Sequence, residues 1–299
     1  MKKIKDALSA IKGREPLIMA VAGAADEDVV CSVCEAERQG IVLPVFFGDK
    51  KTVEQLMAKN GFSESRAKIV DAKNEVSAIE GAAKLVSCDK ADVLMKGQVN
   101  SGAFLRSVLH PEYGLRSGDT AITAIAVMES AEPEKLLFIT DLGFIPAPDL
   151  QMKKNILLNA VQAAHKLGIE CPKVAPLCAS EAYNPKIAAT ADAKALEEMN
   201  LSGEFKGCVV SGPISLDLAI SEASARQKGF DHPVAGKADI LLMPSIEAGN
   251  ILYKSLTYYG KLTTGGIMAG TRKPVVFMSR SDDAQTKLNT IILAAYMAI

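Results

Sequence analysis

The chain has 299 residues, 48% of them hydrophobic and 23% charged, with a formal net charge of −1. That length suits two domains of about 150 residues each, and the balanced charge gives no global pull toward nucleic acid or anionic membrane. With no Trp and 5% aromatic residues, a base-stacking platform for single strands is excluded as well.

The first 26 residues, MKKIKDALSAIKGREPLIMAVAGAAD, combine a basic start with an apolar middle in the manner of a secretion signal. Lys12, Arg14, Glu15 and Pro16 interrupt that pattern, so residues 17–22 read as a buried first strand and the protein as cytoplasmic. No run approaches the roughly 18 apolar residues of a membrane helix. Further strands are predicted at 42–47, 68–70, 91–95, 121–127 and 136–140, then at 174–177, 207–210, 240–243, 266–269 and 275–278. Between them lie amphipathic stretches at 26–39, 52–59, 75–87, 149–167, 186–199, 246–259 and 283–297. In the fourth of these, Met152, Ile156, Ala160 and Ala164 form one apolar stripe at helical spacing.

This alternation predicts an α/β protein with two doubly wound, mainly parallel-sheet domains. The break TDLGFIPAPDL at 140–150 places the crossing between them, because Gly143, Pro146 and Pro148 follow a strand. The final helix is apolar enough to need a partner, and its simplest home is back on the first domain. The expected division is residues 1–141 with 267–299, and 142–266, flanking a cleft of the kind that binds ligands.

Six cysteines are present, but CSVC at 31–34 lies inside a predicted helix with no second pair to complete a zinc site. The three histidines, His110, His165 and His232, are scattered. No metal site and no histidine triad is expected.

Three stretches carry chemistry. GGIMAGTRKP, residues 265–274, has P-loop glycine spacing, yet Thr271-Arg272 stands where Lys-Ser/Thr is required. It reads either as a tight turn or as turn amides of Thr264, Gly265 and Gly266 holding an anion. VLMKGQVNSG, residues 93–102, ends a strand on Lys96-Gly97 and opens a helix near Asn100, a place suited to anions unless the lysine is merely solvated. FMSRSDD, residues 277–283, ends a strand on Ser279-Arg280. Ser281 or Asp282 there is placed to cap the last helix, whereas positive charge at a helix start is disfavoured, so Arg280 needs an anionic partner. No strand–helix junction carries G-x-G-x-x-G, which weighs against a nicotinamide dinucleotide.

Together these stretches resemble the phosphate acetyl/butyryltransferase family. The resemblance runs through MKG at 95–97, GLRSG at 114–118, ITD at 139–141 and PKVAPLCASE at 172–181. It continues in SGPISLDLAISEASARQKG at 211–229, PVAGKADILLMPSIEAGNILYKSL at 233–256 and SRSDD at 279–283. The block from 233 to 256 is more like the butyryl type than the acetyl type.

The resemblance implies an isocitrate/isopropylmalate dehydrogenase-like fold, a homodimer, and the reaction acyl-CoA + phosphate ⇌ acyl phosphate + CoA on a short acyl chain. CoA is then a substrate and no cofactor is expected; the other partner is phosphate or acyl phosphate. Arg280, Ser279 and Lys96 are the expected catalytic residues, Thr264, Gly265 and Gly266 the phosphate site, and Gly97, Asn100 and Arg116 positions that meet substrate or CoA. Acetyl-type relatives carry an aspartate several residues after the Ser-Arg pair as the proposed base for the CoA thiol. Here Gln285-Thr286 occupies that neighbourhood, which leaves Asp282 or Asp283 as substitutes. The alternatives are a metal- and NAD-dependent decarboxylating dehydrogenase and an inert CoA- or metabolite-binding module.

Overall fold

The computed structural model describes every residue except 119, 132, 133 and 280, and only the backbone of 131. The chain divides into a terminal unit, residues 3–120 with 264–299, and a central unit, 121–263 with 1–2.

In the terminal unit the chain begins with α1 (Ile4–Ile11), β1 (Leu17–Ala22), α2 (Glu27–Arg38), β2 (Val42–Gly48) and α3 (Lys50–Lys59). It continues through β3 (Lys68–Asp71), α4 (Glu75–Ser87), β4 (Val93–Lys96) and α5 (Ser101–Leu109). The central unit then contributes β5 (Thr123–Ala131), β6 (Glu134–Thr140), α6 (Leu150–Lys166), β7 (Lys173–Pro176) and α7 (Ala188–Leu201). After these come β8 (Val209–Val210), α8 (Leu216–Ile220), α9 (Glu222–Gln227), β9 (Ile240–Leu242) and α10 (Ile246–Tyr258). The chain returns to the terminal unit as β10 (Thr264–Ala269), β11 (Val275–Val276) and α11 (Ala284–Met297).

Side-chain caps fix where many helices begin. Asp26, Asn74, Asp149 and Asp283 each accept a backbone N–H from the first turn of α2, α4, α6 and α11, which satisfies a donor the helix itself cannot. Strands of the terminal unit follow the order β3-β2-β1-β4-β11-β10. All of its described neighbouring pairs are parallel except β10 with β11. Parallel strands buried on both faces explain the unbroken apolar runs LIMAVA and VLM. Strands of the central unit follow the order β5-β6-β9-β7-β8, with β5 and β6 an antiparallel hairpin and the rest parallel.

Two sequence expectations are corrected here. The crossing into the central unit falls between residues 120 and 121, about one hairpin before the proline-rich loop at 140–150. The cause is pairing: β6 lies beside β9, and β5 is zipped to β6 from Ala126–Ile139 to the hairpin end, so both strands belong to the central sheet. The return comes between 263 and 264, which places Thr264–Ala269 wholly in the terminal unit.

Helix α11 packs against α1, α2 and β10 of its own unit. Leu288, Leu293, Ile291 and Ile292 are buried there, each contributing about 1.5–3 kcal/mol relative to exposure. Its polar residues are buried as well and are used: Asn289 Nδ2 donates to the Thr264 carbonyl at 2.9 Å, and Thr290 Oγ1 accepts the Gly266 amide at 2.8 Å. A helix buried all round is thereby tied to one strand by hydrogen bonds as well as by area.

Candidate active site

Strands β1, β4 and β11 end side by side in the terminal unit. Ala22 is in register with Lys96, and Val276 with Met95, so the segments that follow emerge along one carboxyl rim. Ligands of open α/β sheets bind outside such rims.

The loops after β1 and β4 are locked together by glycines. The Gly97 amide donates to the Ala22 carbonyl at 2.8 Å, and the Gln98 amide to the Gly23 carbonyl at 2.7 Å. A Cβ on Gly97 would lie 2.2 Å from the Gly23 oxygen, so no larger residue fits without moving backbone. Gly97 therefore has a packing role fixed by geometry. Asn100 caps α5 through its side-chain oxygen, which accepts the Ala103 amide at 3.0 Å.

Lys96 is not a solvated rim lysine. It is 2% exposed; its ammonium donates to the Gly97 carbonyl at 3.3 Å and lies 5.6 Å from the centre of the Phe277 ring. Phe277 in turn packs on buried Phe104, with ring centres 6.0 Å apart. A buried ammonium is costly unless carbonyls and aromatic faces replace its water, and both do so here. Sequence reasoning missed Phe277; its signal was an aromatic residue two positions before Ser279.

Ser279 is exposed. Its amide donates to Asp282 Oδ2 at 2.9 Å, and its hydroxyl lies 2.9 Å from that of Ser281. Asp283 accepts the Thr286 amide at 2.8 Å as the N-cap of α11, and that hydrogen bond holds its carboxyl below the ordinary range. Buried Lys287 donates to the Asp282 carbonyl and lies 3.9 Å from Asp28. Both candidate thiol bases thus have structural work: Asp282 turns the chain after Ser279, and Asp283 caps a helix. Arg280 lies outside the described residues.

The strand expected at 266–269 begins at Thr264 instead, so the glycine pair at 265–266 lies within it and forms no turn. A Cβ on Gly265 would lie 2.8 Å from Leu293 Cδ1, so the glycine lets α11 approach β10 closely. With the Gly266 amide given to Thr290, that donor is not free for phosphate. Thr264 is buried, and its hydroxyl has no hydrogen-bond partner among the described residues.

The positive residues nearby also have defined positions. Arg116 bridges to Thr271, and its Nε donates to the Thr120 carbonyl at 3.2 Å. Arg272 donates to the Gly114 carbonyl at 3.1 Å, and Lys273 pairs with Asp89 at 3.0 Å. These contacts clasp the loop 114–117 to the segment 270–272. The structure therefore groups Lys96, Gly97 and Asn100 on the β4–α5 loop beside the β11 exit, and sets Arg116 in a separate clasp. Among the described residues no three His, Cys, Asp or Glu side chains come together as a possible metal cage.

In the central unit the ITD motif ends on Asp141, which is almost fully buried. Its carboxylate accepts the amides of Ala124, Leu142, Gly143, Phe144 and Ile145 at 2.7–3.2 Å. Burial pushes this carboxyl up while those donors pull it down, with burial the larger effect. The carboxylate thereby shapes the loop at the carboxyl end of β6.

Comparison with known proteins places the chain in a family. Residues 73–295 match the family model described as "Phosphate acetyl/butaryl transferase", and the chain belongs to that family. It is 46% identical to a phosphate butyryltransferase of Clostridium acetobutylicum, over 100% of this chain and 99% of the relative. It is 43% identical to a phosphate butyryltransferase of Clostridium beijerinckii, over 99% and 98% of the two chains. Among solved structures, a branched-chain phosphotransacylase from Enterococcus faecalis superposes with a TM-score of 0.83 at 31% identity, covering 94% of this chain and 99% of that one.

Proposed function

We propose that this protein transfers a short acyl group, of butyryl type, between CoA and phosphate. The observation that carries this reading is likeness across the whole chain to proteins described as phosphate butyryltransferases. It favours the transferase over the dehydrogenase and inert-binder alternatives. In the reaction a phosphate oxygen attacks the thioester carbonyl, negative charge gathers on the carbonyl oxygen, and the C–S bond breaks to release the CoA thiolate. In reverse the thiol must ionise; with a pKa near 8.5 this costs about 2 kcal/mol at pH 7, which needs no dedicated base. Fixed positive charge beside the carbonyl and phosphate contributes most.

Arg280 and Lys96 supply that charge, with Ser279 as a polar group at the same strand exit. The burial of Lys96 supports this role, because an ammonium held away from water acts through a lower effective dielectric. Transfer is direct, in a ternary complex. Asn100, Arg116 and the Gly97 loop border the substrate, and the chain works as a homodimer of isocitrate/isopropylmalate dehydrogenase-like protomers.

The test is an acyl-chain series, measuring thiol release from acyl-CoA with phosphate present. Two further buried methylenes are worth about 1.6 kcal/mol, so kcat/KM for butyryl-CoA should exceed that for acetyl-CoA by about tenfold. Equal or faster turnover of acetyl-CoA would overturn the butyryl assignment. Thiol release independent of phosphate would overturn the reaction itself.

A further inference from the structure

The central unit holds a second hollow, at the amino ends of its parallel strands. A cavity of about 180 Å³ lies between the sheet, α8 and α10, with Met128, Leu137, Leu241, Leu252, Leu256 and Leu262 in its wall. It joins a wider polar basin at Lys135, Ile220 and Gly236, residues that border both. Lys135 is the second residue of β6, Asp239 immediately precedes β9, and Lys173 opens β7. Asp141 lies six residues further along from Lys135, about 20 Å at strand rise, at the opposite rim.

The wall is preformed. The Gly236 amide donates to the Leu218 carbonyl at 2.7 Å, and that of Ala238 to the Ala219 carbonyl at 3.0 Å, pinning the loop before β9 to α8. Gly236 has φ +66°, and a Cβ there would lie 2.4 Å from the Glu222 nitrogen, so only glycine fits at the junction of the two hollows.

The basin carries an excess of one positive charge: Lys135, Lys173 and Lys237 face Glu222 and Asp239. The Lys135 ammonium is saturated, donating to Ala238 O at 2.6 Å, Lys237 O at 3.1 Å and Asp239 Oδ1 at 2.9 Å. Lys237 pairs with Glu222 at 3.5 Å. Among the described residues no carboxylate pairs with the Lys173 ammonium, although its backbone amide donates to Asp239 at 2.9 Å.

We propose that this hollow binds a short-chain monocarboxylate, its tail in the leucine-lined cavity and its carboxylate in the basin beside Lys173. An apolar cavity of about 150 Å³ accepts a molecule of benzene's size, so the volume here suits a tail of roughly four to six carbons. The residues lining the site all belong to the central unit, and it serves binding, not catalysis. Its ligand shares the apolar tail of the proposed acyl substrate but lacks CoA and phosphate.

The test uses full-length protein carrying ¹³C-methyl methionine, with saturating CoA present, titrated with butyrate, hexanoate and hexanol. The Met128 methyl should shift saturably with hexanoate, with affinity rising about fourfold per methylene from butyrate. Lys173→Gln should reduce hexanoate binding to the level of hexanol. Ser130 also lines the cavity, so Ser130→Leu should fill it and abolish the shift, with Leu256→Phe as the second variant if the first fails to fold. Acyl transfer should be unchanged in all three variants. An unmoved Met128, a shift lost on adding butyryl-CoA, or equal binding of hexanol and hexanoate would overturn the proposal. So would a shift seen only on dilution to monomer, which would make the hollow an interface between copies of the chain.

Discussion

The Lys96 ammonium faces the Phe277 ring at 5.6 Å, and both residues stand at the carboxyl ends of neighbouring parallel strands. One strand thus delivers a charge, and the next delivers both the aromatic surface that shelters it and, two residues later, Ser279. Phe277→Leu removes the ring face while keeping an apolar filler, so kcat should fall several-fold with the melting temperature nearly kept. Phe277→Tyr should restore it. Lys96→Met should lose about 10²-fold in kcat if the ammonium stabilises developing charge. Full activity in Lys96→Met would remove Lys96 from the mechanism.

The Gly266 amide and the Thr290 hydroxyl supply a second test, because they separate a structural glycine from a phosphate-binding one. Thr290→Val keeps the shape but leaves the half-buried Gly266 N–H without this acceptor, at a cost of about 1 kcal/mol. Denaturant unfolding should show that loss, with KM for phosphate unchanged. An altered phosphate KM at unchanged stability would return Gly266 to the phosphate site.

Asp283 predicts an acid-side signature. Its folded-state pKa is lowered, chiefly by the Thr286 amide, so its contribution is present above the unfolded value near 3.9 and lost as pH falls through the folded value. Asp283→Ala should cost about 0.5–2 kcal/mol at pH 7, and the gap to wild type should close below about pH 4. Asp283→Asn, which keeps the cap without the charge, should show a smaller gap and a flatter acid limb. A gap that persists undiminished at pH 3 would show that the carboxylate charge contributes nothing.

Much of this was legible in sequence. Residues 17–22 are β1 to the residue, and the stripe through Ile156, Ala160 and Ala164 marks α6, because apolar periodicity is a local property; Met152 departs from it by being exposed, and Lys153 and Asn159 by being buried. The proline-rich loop after β6 misled because a break in local pattern says nothing of strand partners: β5 and β6 join the central sheet through β9, which lies far along the chain. The Gly265-Gly266 pair misled for a similar reason. Paired glycines usually mark turns, and only the approach of α11 explains Gly265 inside a strand. Lys96 was found as a strand-end lysine, but its burial depends on Phe277 and so was invisible locally. Asp141 was noted only as part of a motif, since its amide donors come mainly from the loop it shapes.

Fixed positive charge beside the reacting carbonyl is the centre of the proposed mechanism, and Arg280 tests it most directly. Arginine presents a planar fork able to hold two oxygens, whereas lysine is a compact point charge. Steady-state kinetics of Arg280→Lys and Arg280→Ala, with melting curves for both, should show wild-type stability, little change in CoA binding, and a loss of about 10²-fold or more in kcat. Turnover of Arg280→Ala within a few-fold of wild type, in a normally folded protein, would contradict the mechanism.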